Sequence, residues 1–200
     1  MANNMEVGEK PRPSMVICVC GMAGSGKSTV ARKLAKKYGL NYVSGGDALK
    51  ALAIDRGYGP KERGWWESGE GLRFLEERRK DREFDKAIDG KLLDYAREGN
   101  IVLDSWTMPW LLEKGLKIWL EVSLENRAKR IAKRDGMSEK EALKALESKE
   151  KQTKRIYKEL YGFSLGEDFK PFHLILDTDD LEAEEVFQIL CMAIDNCMIE

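Results

Sequence analysis

The sequence predicts a three-layer α/β fold: a five-stranded parallel sheet with helices on both faces, carrying two helical excursions. Three observations predict it. Apolar runs at 15–20, 41–43, 101–104, 116–122 and 173–178 alternate with segments of helical periodicity, the rhythm of βαβ units. The first run, Met15 to Cys20, is unbroken and β-branched, as suits a strand covered on both faces. That run then enters an amphipathic helix through a glycine-rich turn, the kind of junction where open α/β sheets bind ligands.

The turn reads Gly21-Met22-Ala23-Gly24-Ser25-Gly26-Lys27-Ser28, followed by Thr29, and fits the P-loop pattern G-x-x-x-x-G-K-[ST]. Its glycines let the backbone curl into a nest of N–H groups facing one anion. The helix behind it, with Val30, Leu34 and Tyr38 on one side and basic residues between, adds its positive dipole end and stops at Gly39. Gly21 to Thr29 are therefore expected to bind ATP. Lys27 is expected at the β- and γ-phosphates as a catalytic cation, and Ser28 at a Mg²⁺ ion. The fold expectation becomes that of a P-loop NTPase.

The remaining strands and helices follow in order. Asn41 to Val43 is a short strand ending in Ser44-Gly45-Gly46-Asp47, with Asp47 expected as the N-cap of a helix from Ala48. Glycines at 57, 59, 64, 69 and 71 are expected to break any long helix in 58–82, and Trp65 and Trp66 to pack this stretch onto the body, the other readings being stacking on a base or burial of a partner surface. One helix is expected from Leu72 to Ala96, with 76–82 as a solvated mixed-charge face. Ile101-Val102-Leu103-Asp104 has the form of a strand whose terminal acid meets Mg²⁺ beside the P-loop serine. Trp106, Pro109 and Trp110 fall in a loop.

After the fourth strand, Arg127, Arg130 and Arg134 are spaced to share one helix face. Ser138 and Glu141 form a capping box opening a basic helix to about Tyr161. This pair of helices reads as a basic lid closing over phosphates rather than a solvated hairpin. Residues 1–14 are expected to be a disordered leader and 15–200 one domain, with an acceptor-binding insertion at about 44–98 and a lid at about 127–160.

Composition bounds what the chain can do. The chain has 200 residues and a net charge of −1, which argues against general nucleic-acid binding. No apolar run spans a membrane and no signal-peptide core is present, so a cytoplasmic protein without membrane contact is expected, as a monomer or weak dimer. The four cysteines suggest neither a zinc site nor a disulfide framework, and Cys18 and Cys20 should point to one face of the sheet. His173 reads as a packed or surface residue.

Four passages together resemble the nucleoside monophosphate kinases, and in particular the archaeal type of cytidylate kinase. They are Gly21 to Thr29, Ser44 to Asp47, Leu116 to Leu120 with Arg127 to Gly136, and Arg155 to Gly162 with Leu176 to Asp179. The resemblance implies ATP as donor, a nucleoside monophosphate as acceptor, and phosphorylation of (d)CMP to (d)CDP by in-line transfer. It also implies acceptor binding by Ser44, Gly45, Asp47, Lys50 and Asp104, and a lid whose Arg130 and Arg134 clamp the transferred group as catalytic cations. Three departures lie on the acceptor side. Asp104 is followed by Ser105-Trp106-Thr107, where the family usually carries an arginine soon after the acid, Lys50 stands where another arginine is expected, and 57–82 is a long segment. Two other readings of these residues are a P-loop kinase for AMP, UMP or dephospho-coenzyme A, and an ATP-switched binding or assembly protein.

Overall fold

The computed structural model describes residues 14–60, 65–66, 68–81 and 83–197. Apart from Ser14, the expected leader lies outside the described residues.

Five parallel strands form one sheet: β1 Val16–Gly21, β2 Asn41–Ser44, β3 Ile101–Asp104, β4 Leu116–Glu121 and β5 Leu174–Asp177, in the order β2-β3-β1-β4-β5. Placing β1 between β3 and β4 means the chain reverses its direction of travel across the sheet at β1. The crevice that opens there, at the strands' C-terminal ends, receives the P-loop. Pairing puts Val19 opposite Asp104 and Ser44 opposite Asp104, so the acidic end of β3 is flanked on both sides.

Alternation along β1 divides the core. Ile17 and Val19 face helices α1 Lys27–Tyr38 and α8 Ala183–Cys197, meeting Leu34, Leu190 and Ile194. Cys18 and Cys20 share the opposite face. Cys18 packs with Ile88, Leu92 and Met108, and Cys20 with Trp119, Tyr157 and Leu165. Gly39 ends α1 in the left-handed conformation at φ 65°, its N–H bonded to Ala35. His173 is exposed at the entrance of β5, its Nδ1 accepting from the Lys117 N–H at 3.0 Å.

Local structure corrects several expectations. Helix α2 Gly45–Asp55 starts at Gly45, not Ala48, because Ser44 is its N-cap and accepts from the Asp47 N–H at 3.1 Å. Asp47 sits inside the first turn. Helix α3 Gly69–Lys80 contains two of the glycines expected to break it. Both lie in its first turn, where Ser68 caps the helix, and a Cβ at Gly71 would come within 2.1 Å of the Trp65 carbonyl oxygen.

The single helix expected from Leu72 to Ala96 is two. Asp81 turns extended and its carboxylate accepts from the Glu83 N–H at 3.2 Å, starting α4 Glu83–Glu98 afresh. The loop expected after β3 holds a one-turn helix, α5 Met108–Leu111, with Pro109 near its start, where no N–H is needed.

Helices α6 Leu124–Asp135 and α7 Glu139–Tyr161 form a hairpin, joined at Gly136 and restarted by the Ser138–Glu141 capping box. Ala128, Ile131, Ala142 and Leu146 pack it against Ala23 of the P-loop. Helices α2, α3 and α4 and the α6–α7 hairpin all border the crevice.

Candidate active site

The P-loop conformation rests on three glycines: at Gly21, φ is +153° and a Cβ would lie 2.7 Å from the Leu120 carbonyl oxygen. Gly24 has φ +84°, and a Cβ there would lie 3.0 Å from the Arg127 carbonyl oxygen. Gly26 has φ +86° beside open space, so backbone conformation alone demands glycine. Behind the loop, the Trp106 Nε1–H donates to the Gly21 carbonyl oxygen at 2.6 Å.

A cavity of about 580 Å³ opens in front of it. Ala23, Gly24, Gly26, Lys27, Ser28 and Thr29 border this space, as do Ser44, Gly45, Asp47, Lys50, Asp104, Arg130 and Arg134. Residues predicted for donor, acceptor and lid therefore converge on one cavity. Gly21 and Met22 stand behind it, Met22 packed in the Trp119 cluster. Ser25 instead borders a second cavity of about 500 Å³, which shares Gly26, Thr29 and Arg130 with the first. Thr178 and Asp179 line its far side.

Asp104 is 4% exposed and accepts from the Tyr42 hydroxyl at 3.1 Å. Burial and then the Asp104 charge push the Tyr42 hydroxyl pKa well up, so it stays a donor. The Arg32 guanidinium covers the Tyr42 ring at 4.8 Å and meets Asp47 at 3.6 Å. That last pair is exposed and orients more than it stabilises.

The three lid arginines do not act as one face. Arg127 is buried at 6% exposure, donates to the carbonyls of Val122 and Ala23 at 3.2 Å, and pairs with Glu150. It ties α6 to α7 and to the P-loop. Arg130 reaches the Thr178 carbonyl at 3.0 Å, while Arg134 pairs with Asp135 and remains about half exposed.

The same cavity is lined by residues that the sequence did not single out. Arg78, expected on a solvated face, is 2% exposed. Its Nε meets both carboxylate oxygens of Asp85 at 3.0 Å, and its Nη2 reaches Asp85 and the Tyr157 hydroxyl, the latter at 3.0 Å. Asp89 accepts from Thr107 Oγ1 at 2.6 Å and from the Tyr161 hydroxyl. Burial raises the Asp89 carboxyl to about 6, against the lowering effect of those two hydrogen bonds. Burial also raises the Tyr157 and Tyr161 hydroxyls. Burial lowers the Arg78 pKa, but Tyr157 and Asp85 outweigh it and the net shift is upward.

Trp65 turns away into a cluster with Tyr58, Trp66 and Phe74, its indole N–H bonded to Glu70 at 2.8 Å. Trp66 borders the cavity. Lys149 of α7, only 8% exposed, places its Nζ 5.4 Å from the Trp66 ring centre and 5.8 Å from that of Trp106. The available signal was spacing. Asp85 and Asp89 lie four apart, as do Lys149, Thr153 and Tyr157, and each set falls on one helix face.

Comparison with known proteins agrees with this geometry. The cytidylate kinase-like family matches residues 16–180. The cytidylate kinase of Pyrococcus horikoshii is 33% identical over 187 residues, covering 93% of this chain and 91% of the relative. That of Methanocaldococcus jannaschii is 34% identical over 187 residues, covering 91% and 98%. That of Ignicoccus hospitalis is 36% identical over 177 residues, covering 88% and 96%. Among solved structures, shikimate kinase from Acinetobacter baumannii in complex with shikimate superposes with a TM-score of 0.56 at 17% identity, covering 94% of this chain and 97% of that one. Shikimate kinase from Bacteroides thetaiotaomicron gives 0.57 at 16% identity, covering 90% and 98%, and both share the fold alone. With the family pattern matched from the first strand to the loop after the last, and nearly full-length relatives above 30% identity, the chain belongs to the cytidylate kinase-like family.

Proposed function

We propose that the protein transfers the γ-phosphoryl group of ATP to the phosphate of (d)CMP, giving ADP and (d)CDP. The observation that carries this reading is convergence. Lys27, Arg130, Arg134 and Lys149 border one cavity, and the Arg78–Asp85 and Asp89 network borders it too. One end suits phosphates and the other the polar edge of an acceptor.

Donor phosphates lie in the nest of Ala23 to Ser28, with Lys27 on their β- and γ-oxygens. The donor's nucleoside enters the second cavity, past Arg130 toward Thr178. Ser28 and Asp104 would hold Mg²⁺. One buried carboxylate and one hydroxyl fit this ion, which keeps waters and phosphate ligands rather than needing a protein cage. Among the described residues there is no cluster of three or more acidic, histidine or cysteine ligands that would suit a fully caged metal. When bound, the ion neutralises phosphate charge.

The acceptor phosphate is already an anion, so no strong base is needed. Its oxygen attacks the γ-phosphorus, a P–O bond forms, and the bond to the β-phosphate oxygen breaks with its electrons. Alignment and positive charge supply the catalysis. Arg130 and Arg134 on α6 and Lys149 on α7 close on the group in flight and exclude water. Room for an acceptor beside the nest favours transfer over an ATP-switched binding role. Among the described residues, no helix is long and apolar enough to cross a membrane.

The test is a coupled ADP-release assay with a panel of acceptors: CMP, dCMP, UMP, AMP and dephospho-coenzyme A. CMP or dCMP should give the highest kcat/KM. Preferred turnover of another acceptor overturns the assignment.

A further inference from the structure

Thr153 lies near the middle of α7 and is fully buried, at 0% exposure. Its Oγ1 has no hydrogen-bond partner among the described residues, yet the side chain borders the main cavity. A helical threonine usually bonds back to a carbonyl one turn earlier. A buried hydroxyl left without a partner is destabilising and calls for an explanation. A ligand group that completes it is one such explanation.

Its neighbours say which group. Lys149, Thr153 and Tyr157 are each four residues apart, so they line one face of the helix at steps of about 6 Å. At one end Lys149 lies between Trp66 and Trp106, and Trp106 also faces Lys27 of the P-loop at 5.4 Å. That end is the phosphate end. At the other end the Tyr157 hydroxyl is bonded to Arg78, which holds Asp85. That end offers a fixed array of donors and acceptors suited to the edge of a base. In a nucleoside monophosphate the sugar joins the two. A hydroxyl between them can both give and take a hydrogen bond, as can the hydroxyls of a sugar.

We infer that Thr153 reads a sugar hydroxyl of the acceptor nucleotide and is a specificity-determining residue for it. The inference rests on the reading of this cavity as a nucleoside monophosphate site.

The test compares wild type with Thr153→Val, which keeps the shape and removes the hydroxyl, and Thr153→Ser, which restores it. Each is assayed with CMP, 2′-deoxy-CMP and 3′-deoxy-CMP at saturating ATP, and KM for ATP is measured separately. Thr153→Val should raise KM for CMP about 3- to 10-fold, the loss of one ordinary hydrogen bond. KM for ATP should stay within twofold and Thr153→Ser should recover most of the loss. The deoxy analogue lacking the contacted hydroxyl should be insensitive to Thr153→Val, while the other remains sensitive. The ligand-free Thr153→Val protein should melt no lower than wild type, because the substitution removes an unpaired polar atom. A KM for CMP unmoved by Thr153→Val overturns the inference, as does an equal loss with all three acceptors. If CMP is not turned over, the same comparison is made with whichever nucleoside monophosphate is. Absence of turnover with every nucleotide overturns the site reading and this inference with it.

Discussion

The ammonium nitrogen of Lys27 lies 5.4 Å from the centre of the Trp106 ring. That ring hangs from the P-loop through its bond to the Gly21 carbonyl, and Lys149 approaches it from α7 at 5.8 Å. The Trp106 ring thus positions two lysines. Cation–π contacts of this kind contribute about 0.5–2 kcal/mol each. Trp106→Ala should therefore lower kcat about 10-fold, while Trp106→Phe, which keeps a ring, should lose less. A wild-type kcat in Trp106→Ala would remove Trp106 from the positioning scheme.

Lys27→Ala removes the cation proposed to hold the donor phosphates. Transfer should fall by about 10²–10³-fold, the scale seen when one preorganised charge donor is lost from a transition state. The melting temperature of the ligand-free protein should shift little, because Lys27 is only partly buried. Comparable turnover in the variant would place the donor phosphates elsewhere.

Asp104→Asn keeps the acceptor oxygen for Tyr42 but removes the charge. The Mg²⁺ concentration for half-maximal rate should rise several-fold, with circular dichroism unchanged. An unaltered Mg²⁺ titration would leave Asp104 as the structural end of β3.

Arg78→Met strands the Asp85 carboxylate in a buried site. Breaking a buried pair on one side costs about 3–5 kcal/mol, whereas replacing both partners with apolar groups is often near neutral. Urea denaturation should show a large loss for Arg78→Met and substantial recovery in the double variant Arg78→Met/Asp85→Leu. The double variant should still bind ATP and fail to select its acceptor. A small loss in the single variant would mean that water compensates Asp85.

Asp89 gives a pH signature. Burial holds its folded pKa at about 6, above the ordinary carboxylate value of 3.8. The native state therefore favours the protonated acid. The linked stability is fully present below the unfolded pKa and is lost as pH rises through about 6. In Asp89→Asn this contribution is absent. The melting temperature of Asp89→Asn relative to wild type should thus be more positive at pH 7.5 than at pH 4.5. A difference that stays flat across that range would contradict the raised pKa.

What the sequence made legible was local. The strands and the P-loop carry their own periodicity and glycine spacing, and the Ser138–Glu141 cap is complete within four residues. Choices between adjacent caps were less legible. Ser44 and Asp47 are both good N-caps, and the winner depends on where β2 releases the chain. The break at Asp81 was hidden because a capping carboxylate looks the same as a surface charge. Least legible was the acceptor wall. Arg78 looks solvated among Glu76, Glu77, Arg79 and Lys80. It is buried because Asp85 and Tyr157, the latter 79 residues away, close around it. Arg127, Arg130 and Arg134 share a spacing but not a role, because only Arg127 meets Glu150 from the returning helix.

The length of α7 has a kinetic consequence. This one 23-residue helix carries Lys149, Thr153 and Tyr157 along the main cavity and is fastened at Glu150 to the arginine-bearing α6. On the proposed function both substrates meet this one fastened hairpin, so ATP and the acceptor are expected to bind synergistically, each lowering the apparent dissociation constant of the other.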